Sequence, residues 1–134
     1  MFMLSMGVGQ NLGFPDTCIT PVGPVPTPLP YPNVSQSALT PGSVKKVLCS
    51  CTPTVNMSAP ISISNGNQAG VQMGAVSHTI MGSTNWILGS VKCFVGVTPA
   101  QRMTSVSTVN CMQVLANGPG VCLVPSQPRV MVLT

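Results

Sequence analysis

The sequence predicts an all-β domain made of short strands and many turns. Val, Ile and Thr, which favour extended backbone, account for 36 of the 134 residues. The chain contains no Glu, and no apolar stripe of helical period continues beyond one turn, so it lacks the pattern of an amphipathic helix. The 13 Gly and 14 Pro residues divide the chain into short segments. We therefore expect strands throughout, with at most one short helix, at residues 67–75.

The first element is a proline-rich stretch at residues 21–32. Prolines occupy every second position from Pro24 to Pro32. Proline has a fixed φ and no N–H, so the stretch runs extended and cannot be a central strand. The residues between the prolines, which share the opposite face, are Val25, Thr27, Leu29 and Tyr31. This two-residue period favours an extended rim packed on the domain over a free linker.

Three later segments alternate in the way that is typical of strands, namely residues 60–64, 90–97 and 129–133. The clearest of them is residues 90–97. Its common apolar face consists of Val91, Cys93, Val95 and Val97. Turn-forming residues at 65–67, 82–83 and 117–120 are expected to separate the strands.

Charged side chains are scarce, and this scarcity excludes several classes of function. The chain has five Lys or Arg residues, one acid, Asp16, and one histidine, His78. A single carboxylate excludes catalysis by a carboxylate pair, and a serine triad would need both the only His and the only Asp. The five cations form no basic stripe with aromatic platforms, so we expect no nucleic-acid partner. The composition favours a structural part of a larger assembly over an enzyme.

The sequence also lacks the features of a secreted or membrane-spanning chain. No apolar run reaches the roughly 18 residues that a spanning helix needs. The first residues have neither the basic region nor the sustained apolar region of a secretory signal. We therefore expect the chain to be made in the cytoplasm without a signal peptide.

Three stretches, in this order, resemble the PAAR-like proteins. The first begins at Phe14, includes Cys18 and continues through the proline-rich stretch to Asn33. The second is a glycine-rich centre at residues 64–82. The third, at residues 99–102, reads Pro-Ala-Gln-Arg and differs by one residue from the Pro-Ala-Ala-Arg motif that names the wider group. The resemblance extends over about residues 14–110.

The resemblance implies a small cone-shaped β domain that caps the trimeric spike of a contractile injection machine. Such machines include type VI secretion systems, phage tails and extracellular contractile injection systems. The implied partners are a homotrimeric spike protein with one tip per trimer, the target membrane during puncture, and in some members an effector or toxin. The tip would be delivered outward on contraction. Because the sequence stops at Thr134, we expect one domain, residues 1–134, without a C-terminal effector extension.

Family members commonly hold a zinc ion near the point of the cone with His and Cys ligands. The resemblance places Cys18 at the Cys of the opening motif, which makes it the best-supported ligand. The family's His position falls on Val109, which cannot bind zinc, and Cys111 could replace it only if the loop is shifted. The candidate zinc ligands are Cys18, Cys51, Cys111 and His78.

The residues themselves leave alternatives open for the cysteines and for the function. The six cysteines are compatible with metal ligands, disulfides or free buried thiols. Cys49 and Cys51 would point to one side of a strand, whereas Cys93 and Cys122 are expected to be buried as small apolar residues. Two alternative functions are an adaptor whose residues 21–32 bind a peptide-recognition domain, and an enzyme with His78 beside a cysteine in a pocket.

Overall fold

The computed structural model describes residues 1–133 and confirms the all-β prediction. Within this range the strands are β1 (Gln10–Val22), β2 (Val25–Gln36), β3 (Val44–Cys49), β4 (Thr52–Thr54), β5 (Ser83–Trp86), β6 (Phe94–Val95), β7 (Thr98–Pro99), β8 (Val106–Cys111) and β9 (Gly118–Val124). The helical structure in this range is a single 3-10 turn at Ser37–Leu39. The helix considered for residues 67–75 is absent, because this segment is a succession of turns. No helix in the described chain is long and apolar enough to cross a membrane.

The main sheet narrows along its longest hairpin. Its five strands are antiparallel and lie in the order β2-β1-β9-β8-β5. Strands β1 and β2 pair from Gln10 opposite Gln36 to Val22 opposite Val25. Strand β9 pairs with β1 only over residues 10–13, so the sheet is reduced to the β1–β2 hairpin towards the turn. Gly23 lies in this turn with φ +63°, the left-handed backbone that tight hairpin turns require.

Strand β2 contains residues 25–32 of the proline-rich stretch and lies at the edge of the sheet, as predicted. Its prolines are exposed, whereas Thr27, Leu29 and Tyr31 between them are half-buried. Two residues beyond Pro32, Val34 directs its N–H away from β1 to the carbonyl of Asn65 at 2.7 Å. Alternate residues direct their backbone N and C=O groups to opposite edges of a strand. The backbone nitrogens of the prolines, which are an even number of residues from Val34, therefore also point to the outer edge. That edge therefore offers no N–H donor to another strand over residues 26–32.

Two of the predicted strands are not strands, and a third is much shorter than predicted. In residues 90–97 only β6 is a strand, and it pairs with β7. Val91 and Val97 are exposed while Val95 is buried, so the predicted apolar face does not exist. Residues 60–64 and 129–133 contribute only isolated bridges, at Ile61 and Met131. In these segments local alternation did not decide the structure, because a strand also needs a neighbouring strand in register.

The predicted turn at residues 117–120 is also wrong, because β9 begins at Gly118. Glycine and proline normally interrupt strands, yet here the glycines allow close packing. A Cβ on Gly118 would overlap the carbonyl oxygen of Pro15, and one on Gly120 would press against Val109 and Ser107. Tertiary proximity to β1 and β8 therefore places this segment in the middle of the sheet.

Two apolar clusters lie beside the N-terminal part of the chain. The first consists of Leu4, Val55, Ala59, Ile61, Trp86 and Cys122, and the second of Met3, Cys49, Val95, Ala100 and Val132. The two ends of the chain meet at the second cluster, where the N–H of Met3 donates to the carbonyl of Val130 at 2.9 Å. Neither cluster includes a residue of the β1–β2 hairpin or of the glycine-rich residues 64–82. The interior between those two parts is polar.

Candidate functional site

The centre of this polar interior is Asp16, the only acidic residue of the chain. The pairing of β1 with β2 shifts register between Gly13 and Asp16, and this bulge leaves Phe14 and Pro15 exposed. Asp16 itself is fully buried. Among residues 1–133 no basic side chain forms an ion pair with it. Its carboxylate is therefore held by neutral groups.

Four asparagine side chains donate hydrogen bonds to the carboxylate. The Nδ2 atoms of Asn33 and Asn67 each lie 2.7 Å from Asp16 Oδ2. The Nδ2 of Asn110 lies 3.3 Å from Oδ1, and the Nδ2 of Asn117 also donates to Oδ1. The four asparagines come from β2, from the glycine-rich loop, from the end of β8 and from the residue before β9. We call Asp16 with these four asparagines the carboxylate–amide centre.

Other hydrogen bonds set the orientation of three of these amides. The Oδ1 atoms accept from backbone N–H groups: Asn67 from Met81 at 3.1 Å, Asn110 from Gly82 at 2.9 Å, and Asn117 from Val76 at 2.9 Å. A backbone N–H can only donate, so the oxygen of each amide must face it and the nitrogen must face Asp16. The orientation of these amides therefore follows from the backbone.

The fourth amide is oriented by a serine. Ser64 Oγ donates to the carbonyl of Gly82 at 2.8 Å and accepts from the Nδ2 of Asn33 at 3.0 Å. Since the hydroxyl proton of Ser64 is directed to Gly82, its lone pairs receive the N–H of Asn33. All four amides thus present N–H groups, and not oxygens, to the carboxylate.

Cys18 completes the surroundings of Asp16. Its side chain is fully buried, and its Sγ donates to Asp16 Oδ1 at 3.6 Å. Burial, and next the negative charge of Asp16, raise the pKa of the Cys18 thiol to about 11. Cys18 therefore keeps its proton at neutral pH in these surroundings.

The four predicted zinc ligands are not brought together. His78 is exposed, and so is Cys51, which lies in the turn after β3 with φ +64°. Cys111 is buried and donates from Sγ to Thr108 Oγ1 at 3.2 Å. No group of three or more His, Cys, Asp or Glu side chains within residues 1–133 could hold a metal ion. Asp16 is the one side chain of these four types that is hydrogen-bonded to Cys18 within residues 1–133, so the predicted zinc site has no assembled set of ligands there.

The residues around Asp16 also do not fit a zinc ion chemically. Val109, at the family's histidine position, is fully buried, and its methyl groups fill the space left by Gly13. The carboxylate–amide centre presents the positive ends of four amide dipoles, which attract an anion and repel a cation. A metal bound there would have to displace these donors.

No cysteine is disulfide-bonded among the described residues, and Cys18, Cys49, Cys111 and Cys122 are buried. Cys122 is buried in the first apolar cluster, as predicted, and burial raises its pKa to about 12. Cys93 is only half-buried, although it packs against the second cluster. Cys49 is buried and Cys51 is exposed, so the prediction that they point to one side is wrong. The reason is that β3 ends at Cys49 and the chain then turns.

The carboxylate–amide centre cannot be predicted from a local sequence pattern. Asn67 and Asn117 lie in predicted turns, at residues 65–67 and 117–120, whereas Asn33 and Asn110 show no local signal of a shared site. One signal in the sequence is that Asp16 is the only acidic residue in a chain with few cations. If such a carboxylate is buried, it needs neutral hydrogen-bond donors around it. The spacing of the asparagines, 17, 51, 94 and 101 residues from Asp16, contains no local motif.

An open apolar pocket of about 280 Å³ is formed by residues of β1, β8 and β9. Its lining consists of Leu12, Phe14, Val106, Pro119, Gly120 and Val121. None of these side chains is a nucleophile, an acid or a base. The pocket therefore does not supply the Cys and His pair that an enzymatic function would need.

The sequence model of the family described as the Toxin PAAR-like domain matches residues 9–116. The matched range includes the whole β1–β2 hairpin, the glycine-rich residues and β8, and it ends one residue before Asn117. No curated protein and no solved structure matches the chain.

Proposed function

Because this chain belongs to the Toxin PAAR-like domain family, we propose that it is the structural tip of a contractile injection machine. In this role it caps and sharpens a trimeric spike and helps to pierce the target envelope. The match over residues 9–116 is the observation that carries the proposal. The role is mechanical rather than catalytic.

The shape of the sheet supports a piercing role. Five paired strands at residues 10–13 of β1 give way to a two-stranded hairpin at Val22 and Val25. Strand β1 is about 40 Å long at roughly 3.3 Å per residue. The hairpin carries no charged side chain after Asp16, and six of its residues from 21 to 32 are prolines. Prolines reduce the freedom of the backbone, so this narrow end is stiff.

The opposite end of β1 is the better candidate for the surface that binds the spike. Strand β1 begins beside the first apolar cluster, because the residue before it, Gly9, packs against Leu4. The second cluster joins the two chain ends to the β6–β7 hairpin. Large apolar side chains are exposed there, notably Phe94 and Val97 of that hairpin and Leu133 near the chain end. An apolar surface of this kind is typical of a protein interface.

The peptide-ligand alternative has less support. An adaptor would need residues 21–32 as a free segment for a groove-shaped partner. Residues 25–32 instead form much of β2 and pair with β1 over nearly their whole length. The Tyr31 and Thr20 hydroxyls also join the two strands at 2.7 Å. We therefore propose that the stretch is part of the rigid tip.

The proposed setting follows from the same role. The chain would be made in the cytoplasm, assembled on the spike of a phage tail, a type VI system or an extracellular injection particle, and delivered outward on contraction. A homotrimeric spike protein is the proposed partner, with one tip per trimer. An effector or toxin and, briefly, the target membrane are further proposed partners.

The test is to co-express the chain with a trimeric spike protein encoded beside it and to determine the stoichiometry by native mass spectrometry. We expect a complex of one tip and three spike chains. Two valines provide a matched pair, since Val97 is 93% exposed near the second apolar cluster and Val114 is 94% exposed in the loop after β8. Val97→Lys should weaken the complex, and Val114→Lys should not. Failure to bind any neighbouring spike protein would reject the proposal.

A further inference from the structure

We propose that the carboxylate–amide centre, and not a metal ion, holds the β1–β2 hairpin and the glycine-rich residues 64–82 together. The Asp16 carboxylate accepts the hydrogen bonds that join these segments, and the four asparagines donate them. The inference does not depend on the proposed spike partner, because it concerns how the chain itself is held together. It predicts a domain whose stability is independent of metal.

The first argument is that the carboxylate is fully satisfied without a cation. An ionised carboxylate offers about four lone-pair sites. Asp16 receives N–H donors from four asparagines and a fifth donor from the Cys18 thiol. Hydrogen bonds to a charged group are stronger than those between neutral groups, and a buried charge is tolerated only when it is compensated in this way. No acceptor of Asp16 is left for a metal.

The second argument is that the amide orientations cannot be reversed cheaply. To coordinate a cation, an asparagine must direct its Oδ1 inward. For Asn67, Asn110 and Asn117 this reversal would break the hydrogen bonds from the backbone N–H groups of Met81, Gly82 and Val76. Each of these N–H groups would then face an amide N–H group. The backbone therefore selects the donor arrangement and disfavours the arrangement that a metal needs.

The third argument comes from what else joins these segments. The asparagines reach Asp16 across 17 to 101 residues of sequence. Neither apolar cluster includes a residue of the hairpin or of residues 64–82. A few backbone bonds, such as the one from Ile19 N–H to the carbonyl of Met73 at 2.8 Å, add to the contact. The carboxylate–amide centre is thus the main side-chain connection between the hairpin and the glycine-rich loop.

The wild-type protein provides the first test. It is produced in zinc-supplemented medium and purified without chelator, and its zinc content and thermal midpoint are measured before and after treatment with EDTA. We expect far less than one zinc per chain and the same midpoint in both samples. One zinc per chain, together with a midpoint that falls on chelation, would overturn the proposal.

Two substitutions separate the centre from a metal site. Asp16→Asn removes the charge and places an amide among amide donors, so we expect the midpoint to fall by about 10 °C or more. Cys18→Ser keeps a hydroxyl donor for Asp16 but supplies a poor zinc ligand, so its midpoint should fall much less. If Cys18→Ser is as damaging as Asp16→Asn and also reduces zinc content, the proposal is wrong.

A spectroscopic measurement keeps the proposal testable even if Asp16→Asn does not fold. Asp16 is the only acidic residue, so selective ¹³C labelling of aspartate carboxyl groups gives a single side-chain carboxylate signal. We expect this signal to keep its position when zinc chloride or EDTA is added to the folded wild-type protein. A shift on addition of zinc that EDTA reverses would show that the metal reaches Asp16, and would overturn the proposal.

Discussion

The side-chain amide of Asn67 donates a hydrogen bond of 2.7 Å to the carboxylate of Asp16, which lies 51 residues earlier in the chain. The same amide accepts from the N–H of Met81, so Asn67 links three segments. We expect Asn67→Ala to lower the free energy of unfolding by about 2–4 kcal/mol, because it leaves both partners unsatisfied. The exposed neighbour provides the control, and Asn65→Ala should change stability by less than about 0.5 kcal/mol. Urea unfolding measures both, and equal losses would contradict the role assigned to Asn67.

Two glycines with positive φ should respond differently to alanine. Gly66 has φ +129°, and a Cβ there would overlap the carbonyl oxygen of Pro32. Gly23 has φ +63° and open space around its missing Cβ. Gly23→Ala should therefore cost about 1 kcal/mol for the left-handed backbone alone. Gly66→Ala should cost at least about 3 kcal/mol, since strain and overlap combine. Thermal unfolding of both variants compares them, and similar midpoints would refute the close contact.

Trp86 provides a fluorescent probe of the first apolar cluster. It is the only tryptophan, it is buried, and its Nε1 donates to the carbonyl of Ala59 at 2.9 Å. Its emission should shift to longer wavelength on unfolding. Trp86→Phe removes the donor and some volume, so we expect a loss of about 2 kcal/mol, measured by circular dichroism in urea. Tyr31→Phe loses only a half-buried hydroxyl bond to Thr20 and should cost clearly less. The opposite ranking would contradict the assigned packing.

Stability should decline at high pH because burial raises the pKa of three thiols, Cys18, Cys49 and Cys122. Burial raises the pKa of Cys18 from 9.0 to about 11 and that of Cys122 from 9.0 to about 12. Above pH 9.0 the unfolded chain loses these protons while the folded chain keeps them. The unfolded state then binds fewer protons, so the free energy of unfolding falls as the pH rises towards about 11.

A comparison of variants separates the contribution of the buried thiols to the free energy of unfolding from that of other groups that titrate at high pH. Urea unfolding is followed across this range for the wild type, Cys122→Ala and Cys51→Ala. The decline should be shallower for Cys122→Ala, because one buried thiol is gone. Cys51 is exposed, so Cys51→Ala should follow the wild type. A Cys122→Ala slope equal to that of the wild type would show that this thiol does not contribute.

The thiols should also differ in their reactivity towards a water-soluble reagent. Cys51 is exposed, Cys93 is half-buried, and the other four cysteines are buried. We expect Cys51 to react first in the folded protein and Cys51→Ser to abolish the fast phase. After unfolding without a reductant, all six thiols should react. Fewer than six reactive thiols under those conditions would show that disulfides form.

The sequence predicted correctly those features that depend on local backbone chemistry. The β-rich composition and the absence of a helical stripe predicted the fold class. The spacing of the prolines predicted that residues 21–32 are extended and cannot be central, and β2 is indeed an edge strand. Proline has the same restricted φ and the same missing N–H in every context, which is why this prediction holds in the folded protein. The PAAR-like resemblance is likewise confirmed by the family match.

The same sequence predicted poorly wherever a neighbour decides the outcome. Residues 90–97 alternate well, yet only β6 is a strand, and β9 forms through glycines that look like turn residues. The PAAR-like resemblance implied zinc ligands, whereas the structure places two of the candidates, Cys51 and His78, at the surface. Strand pairing and ligand geometry both depend on residues that are distant in sequence, so a local pattern carries little information about either.

Composition and the spacing of the prolines thus established an almost uncharged β domain with a stiff proline-lined edge, because these properties depend on local backbone chemistry. Folding decided that the lone carboxylate of Asp16 would lie in the interior and that Asn33, Asn67, Asn110 and Asn117 would surround it. The physical reason is that a buried charge needs several donors converging from different directions. Only a chain folded back on itself can bring together donors up to 101 residues away.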